Sequence, residues 1–357
     1  MPRRIVAVLL LGWLVVSGPR TVEAVEPEEP AEDAQAGDAS TGHNELVAVP
    51  TGGGKQFWAD ELFFRGWRIQ RNALTDHCRL LDPDDRRHTW GTFAECRARL
   101  DEIRRRENLA PMTGRAVVVL HGLMRSRRSM AKLCEYLEEK GDFTVVNVTY
   151  ASTRRPIGKH AKSLARLVEN LDGIDEISFV GHSMGNIVIR HYLGDQLDPA
   201  TGRPRDRRLK RMVMLAPPNQ GSQLAAAVAD NGLFTMIDGT PGQELGTDWA
   251  AIKDRLATPP FPFGVIAGGR GDERGYNPVL PGDDDGVVTV AGTHLAGEAD
   301  FLLLPVLHSF LMKDPRAMEA TLRFLEKGRF EEDNVTPKRP AGRMENLEPQ
   351  MDANEHR

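Results

Sequence analysis

From residue 114 onward, short apolar runs alternate with amphipathic stretches. Strand-like runs fall at Ala116–Leu120, Thr144–Thr149, Ile177–Val180, Arg211–Leu215, Gly264–Ala267 and Phe301–Leu304. Between them, Ser129–Lys140 and Lys159–Leu171 repeat apolar residues at helical spacing. Strands alternating with helices predict an α/β fold: a mostly parallel sheet covered by helices on both faces. The crossovers should be right-handed, and ligands should bind beyond the carboxyl ends of the strands. This domain is expected over residues 111–330.

The pattern before it differs. Phe57, Trp58, Leu62, Phe63 and Trp67 recur at helical spacing, and Leu100 and Ile103 alternate with Arg and Glu in Phe93–Arg106. These stretches predict a helical N-terminal extension over 55–110, packed on the core or turned toward lipid or a partner. After Ser222 a short helix is expected at Gln223–Ala229. Residues 231–260 are irregular and rich in Gly and Pro, which fits either a lid or a plain surface loop.

The ends of the chain read as processing and linker segments. Arg3 and Arg4 precede the apolar stretch Ile5–Val16, then Gly18-Pro19 and the small-residue site Val22-Glu23-Ala24. This predicts a signal peptide at 1–24 and a secreted or periplasmic protein. Its core is short for a bilayer of about 30 Å, although an uncleaved anchor is the alternative. Residues 25–54 are acidic and carry no Lys or Arg, as expected of a disordered linker, and 331–357 form a polar, disordered tail.

Composition narrows the function. The net charge of -5 over 357 residues offers no basic surface for nucleic acid. Three cysteines, Cys78, Cys96 and Cys134, leave one unpaired in an exported chain. Cys78 and Cys96 are near enough in sequence to bridge, and Cys134 sits on an amphipathic stretch where a buried thiol is expected.

The chemistry concentrates at Gly181-His182-Ser183-Met184-Gly185. This Gly-x-Ser-x-Gly stands between a strand-like run and a helix-like run, the context of a nucleophile elbow. His121-Gly122-Leu123 ends an upstream strand. Asp283-Asp284-Asp285-Gly286-Val287-Val288 and then His308 follow downstream. The order Ser, Asp, His is that of a hydrolase triad on an α/β sheet. Each motif follows a strand, so all converge on one sheet edge.

With Pro218-Asn219-Gln220-Gly221-Ser222 and His308-Ser309 added, residues from about Gly114 to Phe330 resemble the bacterial lipase and esterase group of the α/β-hydrolases. The chain departs from many relatives at Asn186, where they carry Gly, and at Asn219, where they carry His. The resemblance implies a serine ester hydrolase acting on a small-molecule or lipid ester, with no cofactor. Ser183 would be the nucleophile and His308 the base, with His294 as its rival. Asp285 would be the acid, because it precedes the Gly-Val-Val turn, and Asp272 is the runner-up. The backbone N–H groups of Leu123 and Met184 would form the oxyanion hole. His121 would brace its loop. The acidic turn could alternatively hold calcium, although no metal is expected. Contact with a membrane surface is a further expectation. The same site could also serve an acyltransferase, thioesterase or amidase, since a fold alone does not choose among them.

Overall fold

The computed structural model describes residues 49–50, 55–222, 224 and 240–330. The predicted signal peptide, nearly all of the linker, the C-terminal tail, most of the helix after Ser222 and residues 231–239 lie outside them. Among the described residues no helix is long and apolar enough to cross a membrane.

All six predicted strands of the α/β domain form. They are β6 (Arg115–Leu120), β7 (Thr144–Val148), β8 (Glu176–His182), β9 (Leu209–Leu215), β10 (Phe263–Gly268) and β11 (Asp300–Leu304). They make one parallel sheet in the order β11-β10-β9-β8-β6-β7. The chain steps outward from β6 to β7, then returns to the other side of β6 with β8. The strand order therefore reverses at the carboxyl ends of β6 and β8, where such sheets open a crevice. The crossover helices are α2 (Ala131–Lys140), α3 (Ile157–Glu169) and α4 (Met184–Gln196), and α5 (Pro315–Lys327) closes the domain. Leu133, Leu137, Ala317, Ala320 and Phe324 pack on one face of the sheet with Val117 and Val213. Ile157, Leu164, Ile187 and Leu193 pack on the other with Val118 and Met212. Helix α4 is buried throughout Met184–Leu193, so it runs through the core and has no wet face.

The N-terminal extension corrects the helical expectation. Only α1 (Phe93–Arg106) is a long helix there, closed by a capping box between Thr92 and Glu95. Residues 58–91 instead form β2 (Trp58–Phe64), β3 (Trp67–Asn72), β4 (Cys78–Leu81) and β5 (Arg86–Gly91). With the edge pair β1 (Val49–Pro50), they build an antiparallel sheet in the order β1-β5-β4-β3-β2. The deciding feature is the turn. Arg65 and Gly66 both have positive φ, 47° and 86°, as a two-residue hairpin of the primed type requires. Phe64 then pairs with Trp67. Leu62 and Phe64, and across the turn Trp67 and Ile69, place buried apolar side chains at every second position, a spacing that the coincident helical repeat of the aromatics masked.

This sheet shares the core of α3 and α4: Ile69, Leu80 and Leu100 belong to the same apolar cluster as Leu164 and Ile187. A polar clamp joins it to the end of β7. The Asp60 N–H donates to the Thr149 carbonyl at 2.9 Å, and the Thr149 N–H donates to the Asp60 carboxylate at 2.6 Å. Gln70 donates to the other carboxylate oxygen at 2.8 Å. Burial pushes the Asp60 carboxyl above its usual range, so these donors offset a cost of desolvation.

Cys78, Cys96 and Cys134 are free, buried thiols, and the Cys78–Cys96 pairing is not formed. Burial pushes the Cys96 thiol up to about 12. Residues 240–260 settle into the fold, with Leu245, Ile252 and Leu256 buried in the core. Glu244 accepts from the Ile157 N–H at 2.7 Å, placing a carboxylate at the start of α3.

Because the two sheets share one core, Leu80→Ala should destabilise the whole domain by about 3 kcal/mol. Urea unfolding followed by tryptophan fluorescence and by far-ultraviolet circular dichroism should give coincident single transitions, both moved to lower urea. A separate early transition would contradict the shared core.

Candidate active site

The turn after β8 carries the site. Ser183 adopts φ 53° and ψ -126°, a conformation an L-residue with a side chain rarely holds. Close approach fixes it there. A Cβ on Gly185 would lie 2.7 Å from the Leu120 carbonyl oxygen and 2.8 Å from that of His121. A Cβ on Gly181 would lie 2.3 Å from the Asn186 side chain. The Ser183 N–H donates to the Leu215 carbonyl at 2.9 Å. Asn186 adds bonds from its amide to the Ser183 and Leu215 carbonyls, each at 3.1 Å. From Ile177 to Leu193 every residue is buried except Ser183.

His308 and Asp285 meet although 23 positions apart. The imidazole Nδ1 lies 2.7 Å from the Asp285 carboxylate, and the His308 N–H donates to the Asp285 carbonyl at 2.9 Å. Both side chains are buried, at 5% and 0% exposure. The second carboxylate oxygen accepts the N–H groups of Val287 at 3.0 Å and Val288 at 2.8 Å. The Gly-Val-Val turn thus wraps the acid and aims it at the ring. The His308 ring stands beside the elbow, its centroid 4.8 Å from that of His182. The His182 Nε2 is 3.0 Å from the His308 carbonyl, so it donates there. Burial drives the His182 pKa well down and keeps that ring neutral. Among the described residues, no hydrogen bond joins the Ser183 hydroxyl to the His308 ring. Such bonds are commonly long without substrate and tighten when it binds.

The rival residues are engaged elsewhere. Asp272 accepts the N–H groups of Arg274 and Gly275 and pairs with Arg270. His294 pairs with Glu298 at 2.7 Å and stacks on Phe301. The three carboxylates of the acidic turn diverge. Asp283 holds the N–H groups of Arg270 and Gly271, Asp284 those of Asn277 and Gly286, and Asp285 those of its own turn. Among the described residues, no group of three or more His, Cys, Asp or Glu side chains is arranged to hold a metal ion.

Facing Ser183, the loop after β6 presents Leu123. Neither its N–H nor that of Met184, at the start of α4, donates to an acceptor among the described residues. The loop is braced from within. His121 Nδ1 donates to the Gly122 carbonyl at 2.9 Å, and burial lowers the His121 pKa to about 4. Tyr150 stacks on His121 with ring centroids 4.3 Å apart, and its hydroxyl donates to the His121 carbonyl.

Sequence reasoning missed Tyr150. The readable signal was a tyrosine, one of four in the chain, just past the carboxyl end of a strand. It also missed the role of Asn219. That amide donates to the Thr293 carbonyl at 2.7 Å, and its oxygen accepts from buried Arg190 at 3.0 Å. Asn219 therefore ties down the loop after β9.

Residues 113–223 match the protein family described as "Putative serine esterase (DUF676)". The chain has the α/β-hydrolase fold, and the stretch similar to that serine esterase family holds the elbow serine, Ser183. No curated protein matches the sequence. Among solved structures, the mature Bacillus licheniformis lipase BlEst2 is 18% identical, with 62% of this chain and 95% of that chain covered and a TM-score of 0.45. The metagenomic carboxyl esterase MGS0156 is 19% identical, over 56% and 66%, at 0.41. The Legionella pneumophila phospholipase PlaB is 20% identical, over 50% and 45%, at 0.38. These likenesses are distant.

The buried neutral histidines of the hydrolase set its acid stability. Burial lowers His121 from 6.5 to about 4 and His160 to about 3. Between those values and 6.5 the unfolded chain takes up protons that the folded chain refuses. Stability therefore falls as pH drops below 6.5 and is unaffected by these groups above it. Urea midpoints measured across that range should decline toward acid, and His160→Gln should flatten the decline.

Proposed function

We propose that this domain cleaves carboxylic esters with apolar acyl groups through an acyl-enzyme on Ser183. The observation that carries the proposal is the buried His308–Asp285 bond beside a strained serine that is only partly buried.

In this reading, Asp285 holds His308 with Nδ1 protonated, leaving Nε2 as the base. As Ser183 Oγ attacks the ester carbonyl, His308 takes its proton. The carbonyl oxygen becomes an oxyanion and draws the free N–H groups of Leu123 and Met184. Collapse breaks the bond to the alcohol oxygen, which leaves with the proton from His308. Water then gives a proton to His308 and attacks the acyl-enzyme; as the bond to Ser183 Oγ breaks, His308 returns that proton to the serine and the acid is released. No cofactor enters the balance. Tyr150 is a positioning residue: by holding the His121 carbonyl, it fixes the loop that presents the Leu123 N–H.

The apolar substrate is supported by what surrounds the site. Met124 beside Leu123, and Leu307 and Phe310 around His308, expose 38%, 41% and 55% of their surface. Large apolar side chains gathered on one rim favour an acyl chain or a lipid surface. The proposal includes export by way of the leader at residues 1–24, supported by its arginines and apolar stretch.

Chromogenic esters of graded acyl length provide the test. Ser183→Ala should abolish turnover while leaving the circular dichroism spectrum unchanged, and retained activity would refute the nucleophile. Asp285→Asn should lower kcat by about 10⁴, because the imidazole then loses the acceptor that fixes its tautomer. Tyr150→Phe should lower kcat about tenfold with little change in KM, since it loosens an oxyanion donor and removes no substrate contact.

A further inference from the structure

A cavity that none of Ser183, Asp285 or His308 lines is surrounded by cationic side chains. It has a volume of about 390 Å³, between the N-terminal sheet and the outer face of α3. Arg71, Arg155, Lys159, Lys162 and Arg166 line it, with Asp76 and Ser163. Positions 159, 162, 163 and 166 share one helix face. Glu61, fully buried, stands behind Arg71 and Arg166. Five cationic side chains thus face two carboxylates, in a chain whose net charge is -5.

The guanidinium groups are pinned from behind. Arg71 donates from Nε to both Glu61 oxygens at 2.9 Å and to the Asp76 carbonyl at 2.8 Å. Arg166 pairs with the same Glu61. Arg155 donates to the Ala73 carbonyl at 2.7 Å and to the Asp76 carboxylate at 2.9 Å. These contacts hold the planar groups in place without neutralising the cavity. Lys159 and Lys162 are exposed and make no ion pair among the described residues. Clustered like charges repel, so preordered arginines beside two unpaired lysines and a hydroxyl form a cradle whose repulsion an anion relieves.

We propose that this cavity binds a phosphate group, and that the fork of arginines, the two lysines and Ser163 recognise its oxygens. A phosphate dianion matches the excess positive charge, and its several oxygens match donors arriving from both sheet and helix. The cavity opens by the start of α3, which follows the carboxyl end of β7. A phosphate there can belong to a lipid headgroup or be free in solution. The site does not depend on ester hydrolysis.

The test uses the full mature chain. Inorganic phosphate is titrated calorimetrically, and flotation is measured on phosphatidylcholine vesicles with and without phosphatidic acid. Binding of inorganic phosphate alone identifies a soluble ligand. Binding only to vesicles that contain phosphatidic acid identifies a headgroup. In either arm Lys159→Gln with Lys162→Gln should weaken binding about tenfold, while turnover of a neutral short-chain ester stays unchanged and reports an intact fold. No binding in either arm, equal binding to pure phosphatidylcholine, or unaltered binding by the double variant would overturn the proposal. If the neutral ester is not turned over by the wild type, the esterase reading fails while the phosphate measurements still decide this one.

Discussion

The strained backbone at Ser183 is the constraint on which the site depends. An L-residue leaves that conformation unless its surroundings forbid the alternatives, and here they do. The start of α4 presses against the carbonyls of Leu120 and His121, an approach open only to glycine at 185. The Ser183 N–H is committed to Leu215 on the next strand. The elbow is thus locked between the carboxyl ends of three adjacent strands, β6, β8 and β9. Strain of this kind costs on the order of 1–3 kcal/mol, which the buried surroundings of α4 offset. In return, Ser183 stays partly exposed at the start of a helix whose next ten residues are buried.

The histidines show how burial divides one residue type into different tasks. His121, His160 and His182 are held neutral by desolvation and serve as braces or packing groups. His308 is buried as well but has a carboxylate 2.7 Å from Nδ1. A carboxylate at that distance fixes the orientation of the ring and which of its nitrogens carries the proton. Sequence position alone cannot separate these roles. The distinction comes from the acidic turn, whose backbone donors hold the Asp285 carboxylate toward the imidazole.

Much of the hydrolase domain was legible because its parallel strands are short apolar runs punctuated by turn residues. Buried on both faces, they leave little room for another reading, and all six were located within a few residues. The serine elbow, the acidic turn and the late histidine were legible for the same reason: each lies just past a strand. The N-terminal sheet was not. Trp58, Leu62 and Phe63 repeat at a helical interval, and only the Arg65-Gly66 turn reverses that reading. Arg at the first turn position is a poor hairpin signal beside Asn or Asp. Asn186 and Asn219 stood out only as departures from relatives, and their work as amide clamps depends on which carbonyls fold beside them.

The N-terminal sheet has a place in this chemistry although it contributes no reacting group. Asp60 grips Thr149, and the next residue, Tyr150, holds the His121 carbonyl. Gln56 reaches the same loop from the other side, donating to the Arg125 carbonyl at 2.9 Å and accepting from Ser152 at 3.2 Å. The loop that carries Leu123 is therefore held from the end of β7 and from the extension together. A loop tethered only at its two ends would sample many orientations of its N–H groups. Oxyanion stabilisation requires donors already aimed when charge develops, because reorganising them during reaction forfeits most of the gain. The extension contributes rigidity at the point where the proposed mechanism is most sensitive to its absence. This accounts for buried Asp60 and Glu61 in a strand that could have been wholly apolar: a polar clamp fixes register and direction, which apolar packing alone leaves loose.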